Sequence, residues 1–237
     1  MVLYQLDTAR FIQVYIVQGL IGVFFLYLTY LILKRDTKRL NIIFSCFYII
    51  GAAGVFINFI YAPLTIESVI LILYYITIFC FLFAPIFLVI VELILLKSEK
   101  VITSKKQVLL ILIYGGILFG MVFIPNGVTI NASTNWKPVW SFPYFLYTVI
   151  ILSIGAVVPG MYFSVQIYNQ FEDEKIKRKW GYFVIGIIGL FFLVYGTLIS
   201  NTVNNDNFRL AWSIVSLILI TIPPYMLYYG IGKQIEK

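Results

Sequence analysis

The chain contains no histidine at all. That absence excludes histidine-ligated haem, histidine zinc sites and a histidine general base. Charge is nearly as scarce: Asp, Glu, Lys and Arg supply 11% of the residues, against about 25% in an ordinary soluble domain. There are two cysteines, Cys46 and Cys80, both inside apolar runs, which fits small buried hydrophobes and not a disulfide framework. No internal repeat is visible, which disfavours an inverted-repeat transporter.

What fills the chain instead is hydrocarbon. Hydrophobic residues make up 62% of it, and the mean hydropathy is +0.98. Seven apolar runs are separated by short polar segments, and each is uniformly apolar instead of alternating. In lipid every backbone polar group must be paired internally, so such runs read as helices and not as barrel strands. The sequence therefore predicts one all-α domain over residues 1–237, a polytopic seven-transmembrane-helix bundle in the cell membrane. Its helices are expected at about 11–33, 40–61, 68–96, 107–124, 143–168, 180–200 and 209–231.

The net charge of +7 does not point to nucleic acid, because the basic residues sit in short clusters between the runs. The segments after the first, third, fifth and seventh runs hold fourteen of the seventeen Lys and Arg; the other side holds Arg10, Lys137 and Arg209. This positive-inside asymmetry predicts an outer N-terminus and a cytoplasmic C-terminus, and it supports an odd helix count. The cluster Lys34–Arg39 follows the first run instead of preceding it, so that run reads as an uncleaved anchor. The basic segments 34–39, 97–106 and 175–179 would face protein partners or anionic lipid.

Aromatic residues flank the runs as interfacial belts would: Trp136, Trp140 and Tyr144 at the outer end, Trp180, Tyr182, Tyr228 and Tyr229 at the inner one. Small residues at Gly116 and Gly120, at Ala156 and Gly160, and at Gly181, Gly186, Gly189 and Gly196 predict close helix packing inside the bundle or, as a second reading, a homo-oligomer interface. Gln13, Gln18, Asn58 and Gln166 read as interhelical hydrogen-bonding groups.

The third run holds one acid, Glu92, and one proline, Pro85. An ionisable residue in a span is a functional candidate by default. Glu92 reads either as an ion or proton site, or as a carboxylate that reaches the cytoplasmic interface and meets Lys97, about 7 Å along the axis. Pro85, Pro159 and the pair Pro223–Pro224 each remove a backbone donor and kink their helix. Pro85, Pro223 and Pro224 are candidate hinges, and the last two lie nearest to any cytoplasmic partner. The longest outer loop, NGVTINASTNWKPVWS, is a candidate binding loop. Asn58, Glu67, Trp136, Trp140, Asn201, Asn204, Asp206 and Arg209 share its level and form a candidate outer ligand mouth, or else a solvated loop cluster. Asn131-Ala-Ser133 matches a glycosylation acceptor, which only a eukaryotic secretory route would use.

Known seven-helix chemistries can be tested by what they need. A retinal Schiff base needs a lysine in the middle of the last helix, and Lys233 lies beyond its end. A rhodopsin-like receptor closes its third helix on an acid-Arg-aromatic triplet, where this chain has LLKSEK, and carries an outer cysteine pair. Intramembrane proteases need paired aspartates or histidines, and membrane-bound acyltransferases rely on histidine. The sequence thus predicts no enzyme, no cofactor and no metal.

Two stretches carry a family likeness: YYITIFCFLFAPIFLVIVELIL followed by a basic loop, and IKRKWGYFVIGIIGLFF entered through a charged segment. With the order of features along nearly the whole chain, they resemble the seven-helix N-terminal membrane region of sensor histidine kinases and related signalling proteins. That family often carries an Asn-Pro-His-like stretch after its fourth helix; here Pro125-Asn126 stands without histidine, and the chain stops at Lys237 without a kinase domain. The resemblance implies a free-standing sensory module that relays an outer or intramembrane cue to a separate cytoplasmic signalling protein. The alternatives are a small transporter or ion-conducting protein using Glu92, and a structural subunit of a membrane complex.

Overall fold

The computed structural model describes residues 11–232, without the side chains at positions 12, 13 and 17. Arg10, Lys233 and the side chain of Gln13 lie outside the described residues. Among the described residues seven helices are long and apolar enough to cross a membrane: α1 (Val14–Arg35), α2 (Arg39–Tyr61), α3 (Glu67–Lys97), α4 (Ser104–Phe123), α5 (Phe142–Gln170), α6 (Glu174–Val203) and α7 (Asp206–Ile231). The long loop before α5 is not all irregular. It forms a small antiparallel hairpin of β1 (Val128–Thr129) and β2 (Val139–Trp140), with Val128 opposite Trp140. This hairpin marks one end of the bundle, and the clustered Lys and Arg mark the other.

Helix α6 starts six residues before the sequence expectation. The Asp173 carboxylate accepts from the N–H groups of Lys175 and Ile176, at 2.7 and 3.2 Å. Glu, Lys and Arg are good helix formers, so the helix runs on past the apolar stretch. It stops where Asn204 takes a left-handed conformation, φ 50°. Asn205 then caps α7 by accepting from the Phe208 N–H at 3.0 Å.

Three helices are broken at prolines. In α3 the segments Glu67–Phe83 and Pro85–Lys97 meet at Ala84, whose dihedrals stay helical. Pro85 has no N–H for the Phe81 carbonyl, so the ladder is interrupted while the path continues. In α5 a turn of π-helix, Ser153–Val157, leads into Val158–Gln170, with Pro159 in its first turn. The wider turn absorbs the carbonyl that proline leaves unpaired. In α7 the segments Asp206–Leu219 and Ile222–Gly232 are separated at Ile220–Thr221, just before Pro223–Pro224.

Helix α3 is the most enclosed of the seven, and α4 and α7 are the least. It packs against α2, α4 and α5, while α7 lies on α6 and touches α1. Glycine makes the α6–α7 contact close. A Cβ at Gly186 would lie 2.8 Å from the Pro223 carbonyl oxygen, and one at Gly189 would lie 2.6 Å from the Pro223 ring. Gly196 faces the Trp212 ring in the same way. Gly116 departs from the expected packing role: a Cβ there meets nothing within 4 Å, and only Gly120 of that pair packs, on Tyr147.

Three of the expected belt aromatics are core residues. Trp180 and Tyr144 are 0% exposed and Trp140 is 3% exposed. The reason is the rings' polar tips: each finds a partner inside the bundle, so burial leaves nothing unsatisfied. Trp180 Nε1 donates to the Ser164 carbonyl at 2.9 Å, Trp140 Nε1 to the Tyr74 hydroxyl at 2.6 Å, and the Tyr144 hydroxyl to Met121 Sδ at 3.4 Å. Cys46 and Cys80 are free thiols.

Candidate functional site

Glu92 lies in the second segment of α3 and is 0% exposed. The interfacial reading of this residue is therefore corrected: its carboxylate turns inward and does not meet Lys97. The Ser164 hydroxyl of α5 donates to Oε1, and the Ser164 carbonyl in turn accepts the Trp180 indole N–H of α6. The second oxygen, Oε2, is buried with no hydrogen-bond partner. It faces Gly160, where a Cβ would lie 3.6 Å from it, and the Phe191 ring closes the same spot. Among the described residues Glu92 forms no ion pair. An uncompensated charge out of water costs several kcal/mol, so Oε2 is the atom that calls for a proton, a cation or a water. Among the described residues no group of three His, Cys, Asp or Glu side chains is placed to hold a metal ion. Hard divalent cations take about six or more oxygens, and the groups around Glu92 do not resemble such a set.

The proline breaks are tied to neighbouring helices by tyrosines. Tyr114 of α4 donates to the Leu82 carbonyl at 2.7 Å, three residues before Pro85. Its ring lies against Gly155 in the π-turn of α5, where a Cβ would come within 2.4 Å of it. One side chain thus bridges the breaks of α3 and α5. Tyr48 of α2 donates to the Pro224 carbonyl at 2.8 Å, and Pro223 and Pro224 are both buried.

At the hairpin end the structure gathers only part of the predicted residue set. Trp140, Asp206 and Arg209 come together. Tyr74 of α3 accepts both the Trp140 indole N–H and, at 3.3 Å, the Asn201 amide of α6. Arg209 donates to the Pro138 carbonyl at 2.6 Å, and Lys137 lies 3.4 Å from the Asp206 carboxylate. These contacts pin the hairpin onto α3, α6 and α7, so Trp140 plugs the bundle end instead of lining an opening. Trp136 is half-buried and sits in the left-handed region, φ 56°, next to Asn135 at φ 51°, an uncommon and strained backbone for a bulky residue. Asn58 is turned elsewhere and donates to Gln18 of α1. Glu67 stands exposed in the first turn of α3. Asn131 caps a short turn inside the hairpin loop through Ser133 and Thr134.

At the basic end Arg39 clasps the loop between α3 and α4. It donates to the carbonyls of Glu99 and Ile102 at 2.8 and 2.9 Å and to Ser104 Oγ at 3.1 Å. Arg35 donates to the Tyr228 hydroxyl and lies 4.7 Å from the centre of that ring, tying α1 to the last turns of α7.

Sequence reasoning missed Ser164, Tyr74 and Tyr114. Ser164 carried a faint signal, a small hydroxyl in an apolar run; the two tyrosines carried none, since tyrosine suits a lipid-facing helix equally well. Comparison of the chain with family models, with curated proteins and with solved structures found no match.

Proposed function

We propose that the chain is a membrane-embedded sensory or receptor-like module, with its basic end cytoplasmic, that relays an outer or intramembrane cue to a separate signalling partner. The observation that carries this reading is the division of α7. Its first segment, Asp206–Leu219, contains no buried residue, touches α6 through Trp212 at Gly196 and Thr197, and is tied to the hairpin through Arg209 and Asp206. Its second segment is docked on α6 glycines, on Tyr48 and on Arg35. A cue at the hairpin thus acts on one segment, and the basic end feels the other, with Pro223–Pro224 at the joint. Such a cue must favour one packing over the other by its own differential affinity.

Affinity purification from native membranes tests this. A stoichiometric soluble regulator at the basic end supports it, and Pro223→Ala with Pro224→Ala should then alter that regulator's output. Unchanged output refutes the hinge, and membrane subunits alone favour a structural role.

The unpartnered Oε2 of Glu92 favours a second reading, proton or cation transport. Flux in liposomes that is lost in Glu92→Gln, with the fold intact, supports it over the sensory one.

A further inference from the structure

The basic segment 34–39 and the turn between α5 and α6 are not used alike. Within 34–39, Arg39 is spent on the neighbouring loop, Lys38 lies 3.7 Å from Asp36, and Arg35 is engaged by Tyr228. At the turn between α5 and α6 the picture differs. Lys175, Lys177 and Arg178 surround a concavity of about 490 Å³ that is also lined by Tyr168 and Glu174. Among the described residues none of these three cations forms an ion pair. The Lys177 ammonium is poised 5.3 Å from the centre of the Tyr168 ring, in the last turns of α5. Asp173 already takes the first N–H groups of α6, so recognition here falls to side chains and not to the helix end.

We propose that this turn is a binding site for the phosphate headgroup of an anionic phospholipid, held by Lys175, Lys177 and Arg178. Three cations and one carboxylate, Glu174, line the opening, while the neighbouring Asp173 carboxylate is engaged by backbone N–H groups, so the lining itself is positive. Arginine offers a planar fork that matches phosphate oxygens, and lysines add point charges. Tyr168 suits the headgroup level with its apolar ring and polar tip. The site lies where α5 leaves its apolar stretch, which sets a lipid headgroup, and not a free anion, at the right depth. The proposal rests on the seven helices being membrane spans and is independent of the sensory reading.

The test uses the full chain in nanodiscs of phosphatidylcholine and phosphatidylglycerol in equal parts, with retained lipid read by native mass spectrometry. One variant combines Lys175→Gln, Lys177→Gln and Arg178→Gln. The control removes the same charge from the α3–α4 loop of that end and its flanks, by Lys97→Gln, Lys100→Gln and Lys105→Gln. Retained phosphatidylglycerol should fall by at least about tenfold in the first variant and stay at the wild-type level in the control. Arg178→Gln alone should show a smaller loss and serves if the triple variant fails to fold. Equal losses in the two triple variants would mean unspecific attraction and would overturn the site, as would a wild type that retains no phosphatidylglycerol. Excess inorganic phosphate should leave the lipid in place; displacement by it would overturn the lipid assignment.

Discussion

A single methyl group on α6 tests how α7 is held. In Gly186→Ala the new carbon would lie 2.8 Å from the Pro223 carbonyl oxygen and 3.0 Å from the Leu227 nitrogen. Both are backbone atoms, so no side chain can turn aside. Heavy atoms sit best at about 3.5–4.0 Å, so the second segment of α7 must retreat by about 0.5–1 Å, enough to forfeit roughly a quarter to a half of the attraction across the contact. Overpacking of this kind costs about 1–3 kcal/mol. Alanine also gains about 0.8–1 kcal/mol over glycine in a helix, which masks part of that cost. Gly116→Ala supplies the correction, because its methyl meets nothing within 4 Å and should show the propensity gain alone. The difference between the two variants isolates the steric cost, about 1–3 kcal/mol or roughly five- to more than a hundredfold in the unfolding equilibrium. Titration with sodium dodecyl sulfate in mixed micelles, followed by tryptophan fluorescence, measures both. If the two variants unfold at the same point, α7 does not lie on α6 as described.

Tyr114→Phe keeps the ring and removes the hydrogen bond to the Leu82 carbonyl; the same titration should show a loss of about 0.6–2 kcal/mol. Trp140→Phe keeps an aromatic plug and loses the bond to Tyr74, so exchange of the Ser141 amide, which donates to the Gly127 carbonyl at 2.9 Å, should quicken by up to about tenfold. Arg39→Gln takes from the loop 97–106 its charged clasp, each such bond contributing about 1.5–3 kcal/mol. Trypsin should then cut at Lys100 and Lys105 faster than in the parent; unchanged cutting rates would show that the loop is held by other means.

The seven long apolar helices were legible because a helix able to cross a bilayer needs a length and a composition that few other structures satisfy. The breaks were legible too, since proline acts on its own backbone wherever it falls. What the sequence did not fix was direction around each helix. Glu92 sits near the end of its run, and depth along the axis suggested an interfacial carboxylate. Its azimuth decides instead: it faces Ser164 and Gly160, and a run with apolar residues on every side gives no moment from which to read that. Trp180, Trp140 and Tyr144 failed for the same reason, as an amphipathic ring near the end of an apolar run satisfies a headgroup or a buried polar partner equally well. The contacts at the hairpin end were half legible. Asp206 and Arg209 were found because charge at a helix end has to be met by something, and the hairpin that meets it was hidden in a polar loop with two-residue strands, too short for any alternation to show.

Helices α3 and α7 share a construction that no single residue reveals. In α3 the break at Ala84 separates Tyr74, which holds Trp140 and Asn201 at the hairpin end, from Glu92, which is held by Ser164 at the basic end. In α7 the break at Ile220–Thr221 separates Arg209, bonded to the hairpin, from Pro224 and Tyr228, bonded to Tyr48 and Arg35. Each helix is thus anchored on both sides of an interrupted ladder, by polar groups whose partners sit on other elements. An unbroken helix with two anchors moves as one rod; a broken one lets each half follow its own anchor. The hairpin holds the near half of both helices, through Trp140 and through Pro138, so displacing it acts on two joints together. Trp140→Phe should therefore disturb the basic end more than substitutions at Asn58 of α2 or Glu67 of α3, which form no hydrogen bond with the hairpin's two anchors among the described residues.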